Sequence, residues 1–251
     1  MSAPRERDGD VRSAPTIDRA ACAGFLRYAK LVAGRGYVHN TLGNMAIRVA
    51  ADGFPQGVAY TKHAEVSLEE MSESNIVVTD IPTSEILIGA AMTSVGHNLN
   101  RRILELRPDI HAVIHVHDDH TIALLASGAV SEVGVVSLDF PFIHGKPAYY
   151  VPADVDVEVD AARIGHFIQD TNCVVLVGHG VTTLGRTLSE AYHRLTSFTS
   201  EVRRNIIAEQ LAAAKGTKVA YRPREEVERM YRLAEAVIYP ERAQRVMREE
   251  E

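Results

Sequence analysis

The sequence predicts one layered domain of the α/β or α+β type. Short apolar strand-like runs interleave with amphipathic helical runs, but they do not alternate regularly, which argues against a series of βαβ units. No internal repeat or low-complexity linker divides the 251 residues, and this length suffices for one substantial core. The hydrophobic fraction of 46% and the charged fraction of 24% are those of an ordinary soluble globular protein.

The predicted elements follow from apolar spacing and from end signals. The first helix, over 17–33, ends at Gly34-Arg35-Gly36, and a second helix, over 95–106, is closed by Arg107-Pro108. Further helices are predicted over 121–126, 157–170 and 189–214, and from 225 onward. Strands are predicted over 45–49, 57–61, 76–79, 110–116 and 173–177. The segment 130–150 is predicted to hold short strands and turns.

The N-terminal segment, the cysteine count and the net charge indicate where the protein is located and which partners are excluded. Residues 1–15 are polar and lack the apolar stretch of a secretory signal, so we expect a flexible tail before a single domain over 16–251. Cys22 and Cys173 are too few for a disulfide framework or a cysteine metal site, which fits the cytoplasm. No apolar run is long enough for a membrane span, and the net charge of -6 argues against nucleic-acid or membrane partners.

Three histidines carry the chemistry that the sequence predicts. His115 and His117 stand two residues apart at the end of a predicted strand, so both imidazoles project from the same face. His179 lies between two glycines just past a second apolar strand, where the backbone can turn sharply. Three imidazoles on two strand ends can bind one divalent metal and leave coordination positions open. We interpret His39, His166 and His193 as surface or core residues.

The motifs around these histidines resemble those of the class II aldolase/adducin family. The matching stretches, in chain order, are LGN over 42–44, YTKHAEVSLE over 60–69, RPDIHAVIHVH over 107–117 and VVLVGHGV over 174–181. The resemblance implies a three-layer α/β/α domain around a mostly antiparallel sheet, with a C-terminal helical extension. It also implies a homotetramer with active sites at subunit interfaces. His115, His117 and His179 are then the ligands of one divalent ion per chain, which could be zinc, manganese, cobalt or iron.

Two departures from the aldolase pattern affect the expected substrate. Sugar-phosphate aldolases of this family carry approximately Thr-Pro-Ser-Gly in the second loop, where this chain has Thr61-Lys62-His63-Ala64. A lysine and a histidine suit a carboxylate at least as well as a phosphate. Pro82-Thr83-Ser84-Glu85 resembles the motif that ends in the family's catalytic glutamate, but it lies about one helix too early. The ungapped alignment places Glu85 in a hairpin and Gly96 at the acid position, with His97 beside it.

The resemblance therefore favours a decarboxylase over an aldolase. Asn44, Thr61 and Ser94 are the expected substrate-binding residues. Lys62 and His63 are the expected catalytic residues, which neutralise the substrate carboxylate or deliver the proton after CO₂ leaves. The expected substrate is a small anionic molecule, a hydroxylated aromatic or pyridine (di)carboxylate. The family's active-site tyrosine has three candidates, which are Tyr149, Tyr150 and Tyr221.

Two alternatives stay open at this point. The first is an aldolase, epimerase or dehydratase that acts on a sugar phosphate such as fuculose or ribulose phosphate, and it would need Glu85 at the site. The second is a non-catalytic assembly module like the adducin head domain. Such a module has no need of metal ligands, whereas all three histidines are present here.

Overall fold

A computed structural model describes residues 13–90, 92–155 and 161–238, and its centre is one eight-stranded sheet. The helices are α1 (Arg19–Ala33), α2 (His97–Leu106), α3 (Asp119–Ala126), α4 (Asp139–His144), α5 (Leu188–Lys215) and α6 (Arg224–Ile238). The strands are β1 (Asn44–Ala51), β2 (Phe54–Lys62), β3 (Ile76–Asp80), β4 (Ile86–Ile88), β5 (Ala112–Val116), β6 (Tyr149–Val151), β7 (Cys173–Leu176) and β8 (Gly180–Gly185). Short 3₁₀ turns span Glu73–Asn75 and Ala161–His166.

The sheet is mostly antiparallel, as expected. Its strand order is β4-β3-β2-β1-β5-β8-β7-β6, and β6 with β7 forms its parallel pair. The sequential hairpin β1–β2 and the neighbouring β3 occupy one half. Strand β5, which leads to His115 and His117, lies beside β8, which follows His179. The centre of the sheet is therefore where the candidate metal ligands meet.

Helices cover both faces of the sheet, which confirms the three-layer architecture. Along β5 the side chains alternate, so Val113 packs into the core beneath α2 while Ile114 packs into the core beneath α1 and α5. Both side chains are fully buried, and burial of such a side chain contributes about 1.5–3 kcal/mol. Burial on both faces explains why β5 reads as a nearly continuous apolar run.

The predicted and observed elements agree for the long periodic segments and differ elsewhere. The prediction of short strands and turns over 130–150 is wrong in part, because residues 139–144 form α4 and the segment contributes one strand, β6. Six residues are too few to show helical periodicity, and Gly145 ends α4 in the left-handed conformation at φ 68°. The predicted helix over 157–170 appears as the 3₁₀ turn Ala161–His166, with residues 156–160 outside the described part.

The chain ends are described in part. The predicted tail falls mainly on residues 1–12, which lie outside the described residues. At the other end α6 buries Met230 and Ala234 and packs against α4. Within the part of the chain that the structure describes, every helix is too short or too polar to span a bilayer.

Candidate metal centre

Strand β5 and the β7–β8 turn bring the three histidines together. His115 lies within β5 and His117 follows its last residue, so strand alternation projects both rings from one face. His179 sits in the turn after Gly178, which adopts φ 78°, a conformation that favours glycine. A Cβ atom on Gly180 would lie 2.2 Å from the Val116 carbonyl oxygen, so a glycine is required where β8 approaches β5. The turn is thereby held against the end of β5.

The spacing of the imidazoles fits a single divalent ion. The Nε2 atoms of His117 and His179 are 3.2 Å apart, and the candidate ligand atoms of all three residues lie within 4.8 Å of one another. Three imidazole nitrogens bound tetrahedrally at about 2.0–2.1 Å from one ion would lie about 3.4 Å apart. In the described residues no aspartate or glutamate oxygen belongs to this group. The donor set therefore consists of three nitrogens.

A threonine on the neighbouring strand orients the most buried ring. Thr182 pairs directly with His115 in the β5–β8 ladder, and its Oγ1 lies 2.8 Å from His115 Nδ1. This contact turns Nε2 of His115 toward the other two rings, as expected for a partner that fixes a metal-binding imidazole. No sequence motif predicts the role of Thr182, because its pairing with His115 depends on the strand order.

Burial keeps His115 and His117 in the neutral form that binds metal. Burial lowers the pKa of His115 well below its usual value, and the positive charges of His117 and His179 lower it further. Burial, with His179 and then His39 as smaller causes, lowers the pKa of His117 to about 4. Both imidazoles are therefore neutral near pH 7, and neutral imidazole is the metal ligand.

A histidine that sequence reasoning assigned to the surface or core lies at the rim of this centre. His39 Nε2 is 3.1 Å from Asp119 Oδ2, and both side chains are exposed. Its charge acts on His117, so the His39–Asp119 pair is part of the electrostatic surroundings of the cluster. No sequence motif links these two residues, which are 80 positions apart.

Asn44 lies beside the histidines. It pairs with His115 in the β1–β5 ladder, so both side chains share the face that α2 covers. Asn44 is 3% exposed, and its Oδ1 accepts a hydrogen bond from Asn100 Nδ2 on α2. The expected substrate-binding residue and the expected metal ligand are thus neighbours in the structure.

Lys62 and Thr61 are occupied by backbone contacts. The buried Lys62 ammonium donates to the carbonyl oxygens of Thr41 at 2.9 Å, Val66 at 2.7 Å and His63 at 3.3 Å. Alternation along β2 places this side chain with Tyr60, on the face opposite to His115. Thr61 is buried, and its hydroxyl donates to the Met45 carbonyl at 3.0 Å. The described hydrogen bonds of both side chains therefore go to backbone carbonyl oxygens and not to the histidine cluster.

His63 and Ser94 lie at the same end of the sheet as the cluster. His63 forms a bridge with Thr93, and its Nδ1 accepts from the Glu65 backbone N–H at 3.2 Å. Extending the β1–β2 register by two places sets His63 beside Asn44, about 10 Å and two strand spacings from His115. The backbone N–H of Ser94 donates to the Lys62 carbonyl at 3.3 Å, so Ser94 borders the same loop.

The structure places Glu85 in a hairpin, as expected. Glu85 is exposed in the β3–β4 turn, where its carbonyl oxygen accepts from the Asp80 N–H at 2.8 Å. Gly96 is the N-cap of α2, and the adjacent His97 is buried with Nε2 2.9 Å from Thr79 Oγ1. The ring of His97 therefore packs onto β3, and burial lowers its pKa to about 4.

The three candidate tyrosines make their described contacts with residues outside the histidine cluster. Tyr150 accepts a hydrogen bond from the Val133 N–H at 2.9 Å, and Tyr221 donates to Glu209 at 2.7 Å. Tyr149 is partly exposed and packs against Phe167. None of these described contacts involves the histidine cluster.

Known proteins with related sequences include two named for enzyme activities and one named as an adducin. The chain is 27% identical over 170 residues to L-fuculose phosphate aldolase of Methanococcus maripaludis, covering 67% of this chain and 86% of that protein. It is 25% identical over 175 residues to 3,4-dihydroxyphthalate decarboxylase of Arthrobacter keyseri, covering 64% and 68%. Gamma-adducin of Rattus norvegicus is 27% identical over 213 residues, which are 80% of this chain but 28% of that protein.

A comparison of structures indicates the fold, and a comparison of sequences indicates the family. A solved structure of L-fuculose 1-phosphate aldolase matches with a TM-score of 0.69 at 19% identity, covering 86% of this chain and 96% of that chain. This likeness shows a shared fold. Residues 23–203, well over half of the chain, match the family described as Class II Aldolase and Adducin N-terminal domain. The protein therefore belongs to the class II aldolase and adducin family.

Proposed function

We propose that the protein is a divalent-metal-dependent carbon–carbon lyase that decarboxylates a hydroxylated aromatic or pyridine (di)carboxylate. The observation that carries the proposal is a cluster of three histidines that, among the described residues, no carboxylate joins. A bound divalent ion would hold the substrate oxygens and stabilise negative charge that develops beside them. The three nitrogens suit zinc, manganese, cobalt or iron.

The roles of the surrounding residues follow from their positions. Asn44, directly beside His115, hydrogen-bonds the substrate, and Ser94 contributes a hydroxyl from the loop before α2. His63 delivers the proton that replaces the departing CO₂, since its ring is partly exposed at this end of the sheet. Lys62 holds the loop that carries His63, because its ammonium binds the Val66 carbonyl in that loop and the Thr41 carbonyl in the loop before β1.

Apolar side chains around this end of the sheet favour a substrate with a ring. Leu42, Met92 and Val95 are 50%, 56% and 72% exposed, respectively. The Lys62–Thr41 contact and the Ala64 N–H to Met92 carbonyl bond of 3.4 Å join the loops that carry these residues. An apolar rim suits an aromatic acid better than a polyhydroxylated sugar.

Sugar-phosphate chemistry is the second candidate. The similarity to L-fuculose phosphate aldolase favours it, as does the shared fold. An aldol cleavage needs an acid/base to move the substrate hydroxyl proton, which is commonly worth about 10²–10⁴ in rate. Glu85 is exposed in a hairpin and Gly96 carries no side chain for this task, so we rank this candidate second. A non-catalytic adducin-like module ranks third, because it needs no histidine cluster.

A substrate panel on one metal-loaded preparation tests the proposal. Hydroxylated benzoates, phthalates and pyridine dicarboxylates, including 3,4-dihydroxyphthalate, are assayed for CO₂ release, and ketose and aldose phosphates for cleavage or epimerisation. We expect CO₂ release from at least one aromatic acid and none from the His117→Ala protein. Efficient turnover of a sugar phosphate without CO₂ release from any acid would support the second candidate. No turnover of either class by the metal-loaded protein would favour the third.

A further inference from the structure

We propose that Asn100 is a positioning residue that sets the direction of the Asn44 side-chain amide, so that Asn44 presents its NH₂ group to an anionic substrate. The inference rests on the proposed function, because it assumes that Asn44 binds substrate beside the histidine cluster. It extends that function by assigning a role to a residue on a helix that contributes no ligand to the metal.

The contact between the two amides carries the proposal. Asn100 lies on α2 and is 0% exposed, and its Nδ2 donates to Oδ1 of Asn44. Because this bond directs the Asn44 oxygen toward Asn100, the NH₂ group is the half of the Asn44 amide that is directed away from α2 and can meet a substrate. Asn44 is opposite His115 in the β1–β5 ladder, so this NH₂ group belongs to the surroundings of the cluster.

Helix α2 contacts the sheet one turn before Asn100 and one turn after it. His97, one turn earlier, lies 2.9 Å from the Thr79 hydroxyl on β3. Ile103, one turn later, is fully buried in the core between α2 and the sheet. Residues three apart share a helix face, so Asn100 is a polar side chain in the middle of an otherwise packed face. Its position relative to Asn44 is therefore rigid.

The burial of Asn100 lowers the stability of the folded protein. Its Oδ1 is buried and has no hydrogen-bond partner in the described part of the chain. A buried amide that satisfies one of its two polar atoms destabilises the folded state relative to an apolar side chain of the same size. A role in stability therefore does not explain asparagine at this position, whereas a role in directing Asn44 does.

Loss of the Asn100 donor has a defined consequence. The terminal torsion of an asparagine amide is soft, so Asn44 would turn and could present its oxygen to the substrate. A carbonyl oxygen repels an anion that an N–H group would bind. Asn100→Leu removes the donor and keeps the branched arrangement of heavy atoms, and Asn100→Asp places an acceptor against Asn44 and inverts its amide.

The test is a double-mutant cycle read out as binding. The full-length, metal-loaded protein is titrated calorimetrically with 3,4-dihydroxybenzoate and, separately, with inorganic phosphate, at a metal content verified for each variant. We expect Asn100→Leu and Asn44→Ala each to weaken binding about tenfold, and Asn100→Asp to weaken it further. The double variant should bind as weakly as either single variant, because one residue acts through the other.

Asn172→Leu is the matched control. Asn172 is also 0% exposed, donates one bond, to the His144 carbonyl at 2.9 Å, and has a buried Oδ1 without a described partner. The Asn172→Leu substitution should change thermal stability without changing the affinity for 3,4-dihydroxybenzoate or phosphate. Unchanged probe binding in folded Asn100→Leu and Asn100→Asp proteins, or losses that multiply in the double variant, would overturn the role of Asn100 alone. A wild-type protein that binds neither probe would contradict the anionic substrate, and this inference with it.

Discussion

Burial and one hydrogen bond prepare two imidazoles of the candidate metal centre for metal binding. His115 is held by Thr182 and is kept neutral by burial, and His117 is neutral for the same reason. The glycines beside His179 contribute backbone geometry that other residues would not allow. At this scale the site is a set of three preformed nitrogen donors with one polar neighbour, Asn44.

Removal of one ligand should release the metal and abolish turnover. His117→Ala or His179→Ala leaves two nitrogens, so metal content should fall from one ion per chain to a small fraction. Lyase activity should fall at least about 10³-fold, because the ion supplies several kcal/mol of charge stabilisation. Elemental analysis and the substrate panel measure both effects, with the exposed His193→Ala as control. Full activity in a metal-free preparation would contradict the metal centre.

Glu85 should be dispensable for chemistry. Its carboxylate belongs to an exposed hairpin turn, so Glu85→Gln should change kcat by less than about tenfold, below the effect of a lost general acid/base. Steady-state kinetics on the substrate found by the panel measure this. A loss of about 10²-fold or more would return Glu85 to the site and favour the aldolase candidate.

Secondary-structure elements hold the site through a few buried polar contacts. Lys62 joins the end of β2 to the loops at Thr41 and Val66, and His97 joins the first turn of α2 to β3. Each contact satisfies a group that would be costly to bury alone. Buried hydrogen bonds of Lys62 and His97 therefore join elements that otherwise pack through apolar side chains, and substitution of either residue tests its contribution.

Lys62 should act mainly on stability. Lys62→Met keeps the stem but leaves three carbonyl oxygens without their donor, which should lower the free energy of unfolding by about 1–3 kcal/mol. Urea denaturation measures the change, and the exposed Lys218→Met is the control. Unchanged stability together with a large rise in KM would instead assign Lys62 to the substrate carboxylate.

The buried His97 on α2 predicts that the free energy of unfolding falls in acid. Burial, and secondarily the charge of Arg101, lowers the pKa of His97 from its usual 6.5 to about 4. The unfolded chain then binds a proton that the folded chain resists, so stability present above pH 6.5 is lost as the pH falls toward 4. The loss is up to about 1.4 kcal/mol per pH unit. His97→Gln should make the fall in unfolding free energy shallower, measured on metal-free protein; an unchanged slope would contradict this.

The whole molecule is expected to function as an assembly. The sequence resemblance implies a homotetramer with active sites between subunits, and the described chain exposes apolar side chains on its longest helix. Ile207 and Leu211, four residues apart on α5, are each 57% exposed. Such an apolar stripe suits a subunit contact.

Light scattering tests the tetramer. The measured mass should be four times the 27.5 kDa of one chain, with or without added metal. A monomeric mass at micromolar concentration would contradict the prediction and would require a complete site within one chain.

Residue patterns alone predicted the layered fold, most of the long elements and the three clustered histidines. These features are local: alternation in β5 and periodicity in α1 and α5 each arise from contiguous residues. The four ordered motifs indicated the family, which the comparison confirmed. The segment around α4 was not predicted because its six residues are too short for a periodic signal.

The contacts between side chains from distant parts of the sequence depend on the tertiary structure. Strand order set Thr182 and Asn44 beside His115, and packing of α2 brought Asn100 to Asn44 across 56 positions of sequence. The direction of Lys62 also depended on tertiary structure, because adjacent residues of a strand point to opposite faces and only the layers determine which face holds the site. Local sequence therefore determined the three histidine donors, whereas long-range pairing determined their neighbours and the environment in which they act.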